Sequence, residues 1–386
     1  MTLTNLPRIR DVETMIELMQ GLGADVEWTG PNEARVQAAE LATHSVDWEL
    51  GERIRASFLL AGPLLARLGR ASLPPPGGDV IGRRRIDPHL HAFAQLGVEI
   101  ELNGRYELRV GRLEGAHIFL DEASVMGTEN TVMAAVLAAG ETTITNAASE
   151  PHVQDLCRFL VSLGAEIDGI GSNVIHVSGV ERLRGGAGRI GPEHIEVGSF
   201  IGLAAVTGSD ITIDETEPGD LLSILPAFER LGVRVEIDGT SIRVPAEQEL
   251  VIRNDYGGYI PKIEDGPWPA FPADLTSIAI AVATQAQGEI LIFEKMFENR
   301  LVWIDKLVSM GARIIPCDPH RAVISGPAKL YGQRMSSPDI RAGMALLIAS
   351  LCAEGTSTIG NVNEIDRGYE RIDERLRALG AVIERV

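Results

Sequence analysis

Arginines placed at the starts of apolar helices are the residues whose type and spacing could do chemistry. Arg55 opens the apolar run Ile54–Gly69, and Arg341 opens another after Ser337-Pro338-Asp339. A helix N-terminus already presents free N–H groups and the positive end of a dipole, so a cation there makes an anion site. Asp274, after Pro269-Ala270-Phe271-Pro272-Ala273, and Asp339 stand where N-caps of two such helices are expected. Arg300 in Phe297-Glu298-Asn299-Arg300 and Arg367 in Ile365-Asp366-Arg367-Gly368-Tyr369-Glu370-Arg371 are expected where further helices begin. The loop Pro74-Pro75-Pro76-Gly77-Gly78-Asp79-Val80-Ile81-Gly82-Arg83-Arg84-Arg85, followed by Asp87-Pro88-His89, is made irregular by its Pro and Gly. It carries one carboxylate and three consecutive cations, a set able to close over an anionic ligand. Taken singly, each feature has a plainer use as a cap or a solvated loop. Recurrence at equivalent repeat positions is what points to anions.

Composition narrows the partners. The chain has 386 residues, 35 Lys+Arg against 54 Asp+Glu, a formal charge of −19 and only 5% aromatic residues. A net basic face and aromatic platforms are what nucleic acid requires, so it is not an expected partner. Lysine occurs only at Lys262, Lys295, Lys306 and Lys329, so nearly every cation is arginine, suited to bidentate grip on phosphate and carboxylate. Codon bias gives the same skew. Cys157, Cys317 and Cys352 are far apart with no CxxC pair, which indicates neither a disulfide framework nor a zinc site. No basic-then-apolar leader opens the chain. Apolar stretches such as Phe58–Leu68 and Met344–Cys352 fall short of the roughly 20 residues a membrane span needs. A soluble, cytoplasmic protein with no membrane partner is expected.

The elements that position these residues are written as repeats. A helix ending in Leu/Met-Gly-Ala/Val and leading into a short strand recurs around Gly23, Gly97, Gly164, Gly232, Gly311 and Gly380, at intervals of 67 to 79 residues. Gly at a helix C-terminus followed directly by a strand is the physical reading. Each unit also holds an Ala-rich helix, a Gly and a Thr/Ile strand, as in Val132–Leu137, Gly140 and Thr142–Asn146. Related segments are Leu203–Ile213, Ile278–Phe293 and Leu346–Asn361, with Ile54–Gly69 a looser copy. Helices apolar all round are buried. The expected architecture is therefore α/β, with two domains, 1–191 and 192–386, of three units each, helices inside and sheets outside. Six Leu-Gly-Ala helices stand against five Ala-rich ones, and Thr2–Pro7 reads like the end of the strand Thr142–Asn146. The first repeat is expected to be incomplete, as is the last, and residues ahead of Met1 would complete both.

These motifs together resemble the enolpyruvyl transferases. The resemblance covers essentially the whole chain and rests on Pro76-Gly77-Gly78 through Arg84, Pro272-Ala273-Asp274, Phe297–Arg300, Asp339-Ile340-Arg341 and Asp366–Arg371. It is closest to the branch acting on UDP-N-acetylglucosamine; the loop motifs of the shikimate-phosphate branch, the alternative enzyme, are not found. The resemblance implies an inside-out α/β barrel of two domains with the active site in the cleft between them. It implies addition of the sugar 3-hydroxyl to C2 of phosphoenolpyruvate, protonation of C3 and loss of phosphate, the first committed step of peptidoglycan synthesis. No cofactor and no metal are implied. Asp274 matches the carboxylate that takes the hydroxyl proton. Arg84, Arg341 and Arg367 match the cations on phosphoenolpyruvate, with Arg367 also catalytic and Arg300 and Asp339 supporting. Arg55, Arg84, Asp87, His89, Ser124, Val125, Asp274, Met296 and Phe297 match positions on the uridine nucleotide and sugar. Arg85, Pro88 and Met296 depart from the commoner residues there.

Two departures carry expectations. Asp79 occupies the loop position usually held by cysteine, where a carboxylic acid can deliver the C3 proton. Arg83 and Arg84 beside it would lower its pKa, while loop closure and anionic substrate would raise it. Resistance to fosfomycin, which alkylates that thiol, is expected. The family's Lys-Asn pair would precede Met1, and no lysine before Lys262 replaces it. An incomplete gene model is the expected reason, and little turnover is expected of the chain as given. The competing class is a truncated, non-catalytic relative that binds a UDP-sugar.

Overall fold

In a computed structural model covering Met1–Val386, the chain divides into two compact units. The first is Met1–Gly78 with Arg84–Gly191, and the second is Asp79–Arg83 with Pro192–Val386. Five loop residues, Asp79–Arg83, thus belong to the second unit although the sequence on both sides of them belongs to the first. No helix is long and apolar enough to cross a membrane.

Each unit wraps three sheets around apolar helices. In the second, the helices His194–Thr207, Ala273–Ala283 and Ile340–Cys352 touch one another. Eleven of the fourteen residues of His194–Thr207 are buried, which no amphipathic surface helix would show. Close approach requires small residues. A Cβ on Gly198 would lie 2.7 Å from Leu275 Cδ1, and one on Gly202 would lie 2.7 Å from Ile278 Cγ2. In the first unit the corresponding elements are Val125–Ala135 and Ala61–Leu68, the latter entered through the 3-10 turn Arg55–Leu60. The six Leu/Met-Gly-Ala/Val helix ends all place their glycine at positive φ, from 84° at Gly232 to 110° at Gly311. That conformation costs glycine nothing and a side chain much.

Three of the six sheets repeat one pattern, a parallel pair followed by an antiparallel hairpin. His117–Phe119 runs parallel to Glu141–Thr145, which pairs with Val174–Ser178 and then Glu166–Asp168. Lys262–Glu264 runs parallel to Gly288–Phe293, which pairs with Arg321–Gly326 and then Ile314–Asp318. In the sheet holding Thr2–Thr4 the parallel partner is Ala187–Arg189. The likeness of Thr2–Pro7 to Thr142–Asn146 has a structural basis. Asn5, Asn146 and Asn361 each follow a strand at φ between 55° and 59°. Each amide donates to a carbonyl beside the parallel partner: Ile190, Leu120 and Ser337 respectively. Three of the four parallel pairs therefore end on the same asparagine turn, whereas Gly288–Phe293 leads directly into Glu294.

Candidate active site

The second unit gathers a chain of alternating charges. Asp274 is the second residue of Ala273–Ala283; the N-cap is Pro272, whose side chain caps nothing. Asp274 is therefore not the cap that its position suggested, and its carboxylate is used elsewhere. Oδ2 accepts from Arg341 Nε at 2.9 Å and Oδ1 accepts from Arg300 Nη2. Arg300 lies in the turn before Ile304–Met310, is 1% exposed and stands over the Phe297 ring. Asp339 does cap its helix, with Oδ1 accepting from the N–H groups of Arg341 and Ala342 at 2.8 and 2.9 Å. The same Oδ1 is 4.0 Å from Arg300 Nη1. Burial pushes the Asp339 carboxyl up, against the charge of Arg300 and those two N–H bonds. Arg341 also packs on the face of Tyr369, whose hydroxyl bonds Ser199 Oγ at 2.8 Å. Asp274 is thus oriented by two guanidiniums that are themselves held.

A second pairing extends this chain. Arg367 closes the 3-10 turn Val362–Arg367, ahead of the helix Ile372–Ala378, and does not begin a helix. Its Nη1 donates to Asp79 Oδ1 and to Glu364 Oε2 at 2.5 and 2.8 Å. The next residue, Gly368, would bring a Cβ to 3.7 Å from Arg341 Nη1, so the two arginines are near neighbours. Asp79 reaches Arg367 because Phe297-Glu298-Asn299-Arg300 anchors the loop tip. Asn299 N–H donates to the Ile81 carbonyl at 3.0 Å, and Glu298 Oε2 accepts from Arg83 N–H at 3.1 Å. Gly82, at φ 137°, admits the Glu298 carboxylate where a Cβ would stand 2.3 Å away. Glu298 and Asn299 hold the loop tip, a role sequence reasoning did not give them, since nothing local marks a side chain that meets a loop 215 residues away. Met296, 38% exposed, and Phe297 leave the same strand with their N–H groups bonded to Glu294 Oε1.

The first unit holds its own cations. Arg55 Nη2 donates to the carbonyls of Arg84 and Arg85 at 3.0 and 2.7 Å. Gly78, at φ 98°, lets the loop backbone lie against both side chains: a Cβ would be 3.1 Å from Arg55 Cβ and 3.3 Å from Arg84 Nη1. Burial first, and then crowding by the Arg84 charge, bring the Arg55 guanidinium down to about 10. An anion relieves that crowding. Arg85 pairs with Asp87 at 3.1 Å and Asp121 at 2.9 Å, and holds the Asp87 carboxyl below its usual range. Ser124 caps the helix that Val125 begins, with Oγ accepting from Gly127 N–H at 3.1 Å. A Cβ on Gly127 would be 3.2 Å from Pro88, which places Asp87-Pro88 against that helix start. His89 differs from expectation. Its ring is 1% exposed, edge-on to Phe58 at 5.1 Å and bonded to Asn130 Nδ2 at 3.1 Å, so it faces the interior and not a ligand. Burial, then Arg55, brings it down to about 3, and it stays neutral.

Known proteins resemble this chain over nearly its whole length. A family model described as EPSP synthase (3-phosphoshikimate 1-carboxyvinyltransferase) matches residues 1–376. The UDP-N-acetylglucosamine 1-carboxyvinyltransferase of Bradyrhizobium diazoefficiens is 58% identical over 385 residues, covering 100% of this chain and 89% of that one. Its counterpart from Treponema denticola is 52% identical, covering 99% and 90%. Among solved structures, the enolpyruvyl transferase NikO from Streptomyces tendae superposes with a TM-score of 0.86 at 24% identity, covering 99% of this chain and 89% of NikO. EPSP synthase from Acinetobacter baumannii gives 0.74 at 17%, covering 99% and 90%.

Proposed function

The chain belongs to the EPSP synthase (3-phosphoshikimate 1-carboxyvinyltransferase) family, and from that premise we propose that it transfers the enolpyruvyl group of phosphoenolpyruvate to the 3-hydroxyl of UDP-N-acetylglucosamine, releasing phosphate. The observation that carries the reading is the Asp274 carboxylate held by Arg300 and Arg341. A carboxylate fixed at both oxygens is oriented to take one proton, here that of the sugar hydroxyl as its oxygen bonds to C2. Arg341, Arg367 and Arg84 meet the phosphate and carboxylate of phosphoenolpyruvate. Fixed cations in a site that excludes water stabilise charge on those groups as the tetrahedral adduct forms.

Asp79 supplies the proton to C3, and Arg367 is shared. Its Nη1 bonds Asp79 in the protein alone, and an incoming phosphoenolpyruvate anion competes for the same guanidinium. Release from Arg367 leaves the Asp79 carboxyl able to carry the proton that C3 receives. Return of one C3 proton to the Asp79 carboxylate and departure of phosphate from C2 then regenerate the double bond. Arg55, Arg84, Asp87, Ser124, Val125, Met296 and Phe297 contact the uridine nucleotide and sugar. His89 contributes by shaping the interior behind them, given its burial. A chain of charge −19 can bind two anions because local field, not net charge, governs a site. The reading places the reaction in the cytoplasm, at the first committed step of peptidoglycan synthesis.

Phosphate release with both substrates, together with the mass of the enolpyruvyl UDP-sugar, tests this. Release with shikimate 3-phosphate in place of the UDP-sugar would overturn it. Binding of UDP-N-acetylglucosamine without turnover would favour the non-catalytic relative.

A further inference from the structure

The parallel strands Lys262–Glu264 and Gly288–Phe293 set Glu264 opposite Phe293, so the next residue of each, Asp265 and Glu294, emerges at the same edge. Both are acidic, and they are 1% and 0% exposed. Buried carboxyl groups need donors. Asp265 Oδ1 accepts from the N–H of Lys295. Glu294 Oε1 accepts from the N–H groups of Met296 and Phe297 at 3.2 and 3.1 Å. Three consecutive backbone donors are therefore held by two side chains from adjacent strands. The other oxygens, Asp265 Oδ2 and Glu294 Oε2, are buried with no donor from the rest of the protein. The two carboxyls are within hydrogen-bond reach of each other, and one proton between them satisfies both remaining oxygens.

We propose that Asp265 and Glu294 are positioning residues, a carboxyl pair sharing one proton that fixes the Lys295–Phe297 backbone so that Met296 and Phe297 meet the sugar nucleotide. This rests on the assignment of those two residues to UDP-N-acetylglucosamine.

The surrounding charges are few. Arg300 faces Glu294 from the turn that follows and favours its charged form. His320 Nδ1, from the turn between Ile314–Asp318 and Arg321–Gly326, lies 2.8 Å from the Glu294 carbonyl oxygen. The Lys295 ammonium is 3.8 Å from Glu264, on the neighbouring strand. Against these, burial and then Asp265 push the Glu294 carboxyl up to about 9. The pair keeps its proton at neutral pH and loses it in alkali, where two adjacent buried anions repel and release the segment they hold.

Titration calorimetry of UDP-N-acetylglucosamine on the full chain at pH 8 and pH 10 tests the proposal. Wild-type affinity is expected to fall about tenfold, because only about a tenth of the pairs keep their proton at pH 10. Glu294→Gln puts a permanent N–H where the shared proton was, and its affinity is expected to change less than about twofold over the same interval. Ionisation of the uracil imide affects both proteins alike and cancels in the ratio. Equal losses in the two proteins, or none in the wild type, overturn the proposal. Asp265→Asn, which donates across the pair from the other side, replaces Glu294→Gln if circular dichroism shows the latter unfolded. Hydrogen exchange of peptides spanning 294–300 needs no ligand: the wild type should exchange faster than Glu294→Gln at pH 10 and not at pH 8. Equal exchange overturns the proposal. The expected exchange in a wild type that fails to bind the UDP-sugar at pH 8 refutes the substrate assignment and leaves the shared proton standing.

Discussion

Asp79 Oδ1 lies 2.5 Å from Arg367 Nη1, joining residues 288 positions apart. Both side chains are mostly buried, at 11% and 14% exposure, so the contact is poorly screened. The expectation that Arg83 and Arg84 set the surroundings of Asp79 missed this partner, which ties the loop carboxylate to a cation assigned to phosphoenolpyruvate.

A carboxylate at this position has no thiol to alkylate. The wild type is expected to keep its activity after incubation with fosfomycin at any time point. Asp79→Cys places a thiol beside Arg367, a cation that favours the reactive thiolate. That variant should lose activity progressively with fosfomycin, and progressive loss in the wild type would sink the assignment.

Asp274→Asn keeps the shape of the side chain and removes the proposed base. A fall in kcat of about 100-fold or more is expected, with a smaller change in KM for the UDP-sugar. Arg300 would then keep Asp339, at 4.0 Å, as its remaining ion-pair partner. The stability cost is expected at about 1–3 kcal/mol, below that of a fully buried pair, because Asp274 retains 40% side-chain exposure. Steady-state kinetics and urea melts separate the two effects.

The repeats explain how much of this was legible. Six glycines at a fixed place in six helix ends mark positive φ, and apolar helices mark burial, because both are local requirements on local residues. Asp339 as a cap was legible for the same reason. Asp274 was not, since its partners Arg300 and Arg341 are 26 and 67 residues away. Asp265 and Glu294 look like surface acids in Ile263-Glu264-Asp265 and Phe293-Glu294-Lys295; only strand pairing shows that both turn inward. Pairings between distant residues leave no periodicity to read.

Glu294 also fixes the sign of one pH dependence. In the fold it titrates at about 9, against an ordinary glutamate value of 4.5. Between those values the folded state holds the extra proton, so stability falls as pH rises. The contribution is full below 4.5 and is lost as pH passes through 9, at up to about 1.4 kcal/mol per pH unit. Thermal melts at pH 6, 7 and 8 should therefore show a decline in the wild type that is shallower in Glu294→Gln. Parallel slopes would show that Glu294 keeps its ordinary value.

In the first unit the sign reverses. His89 is held at about 3, against an ordinary 6.5, by burial and then by Arg55, so its contribution is present above 6.5 and lost as pH falls through 3. Asn130 holds the ring in place and satisfies two further buried groups, the Gly62 N–H at 2.7 Å and the Phe58 carbonyl at 2.8 Å. Asn130→Ala strands both, and a cost of about 2–4 kcal/mol is expected at every pH. His89→Gln has no proton to take, so its urea midpoint should change less between pH 7.5 and pH 5 than that of the wild type. Phe58 lies in the same 3-10 turn that Arg55 begins, so Asn130→Ala should also weaken UDP-N-acetylglucosamine binding through Arg55. Calorimetry at pH 8 that finds its affinity intact would confine Asn130 to stability alone.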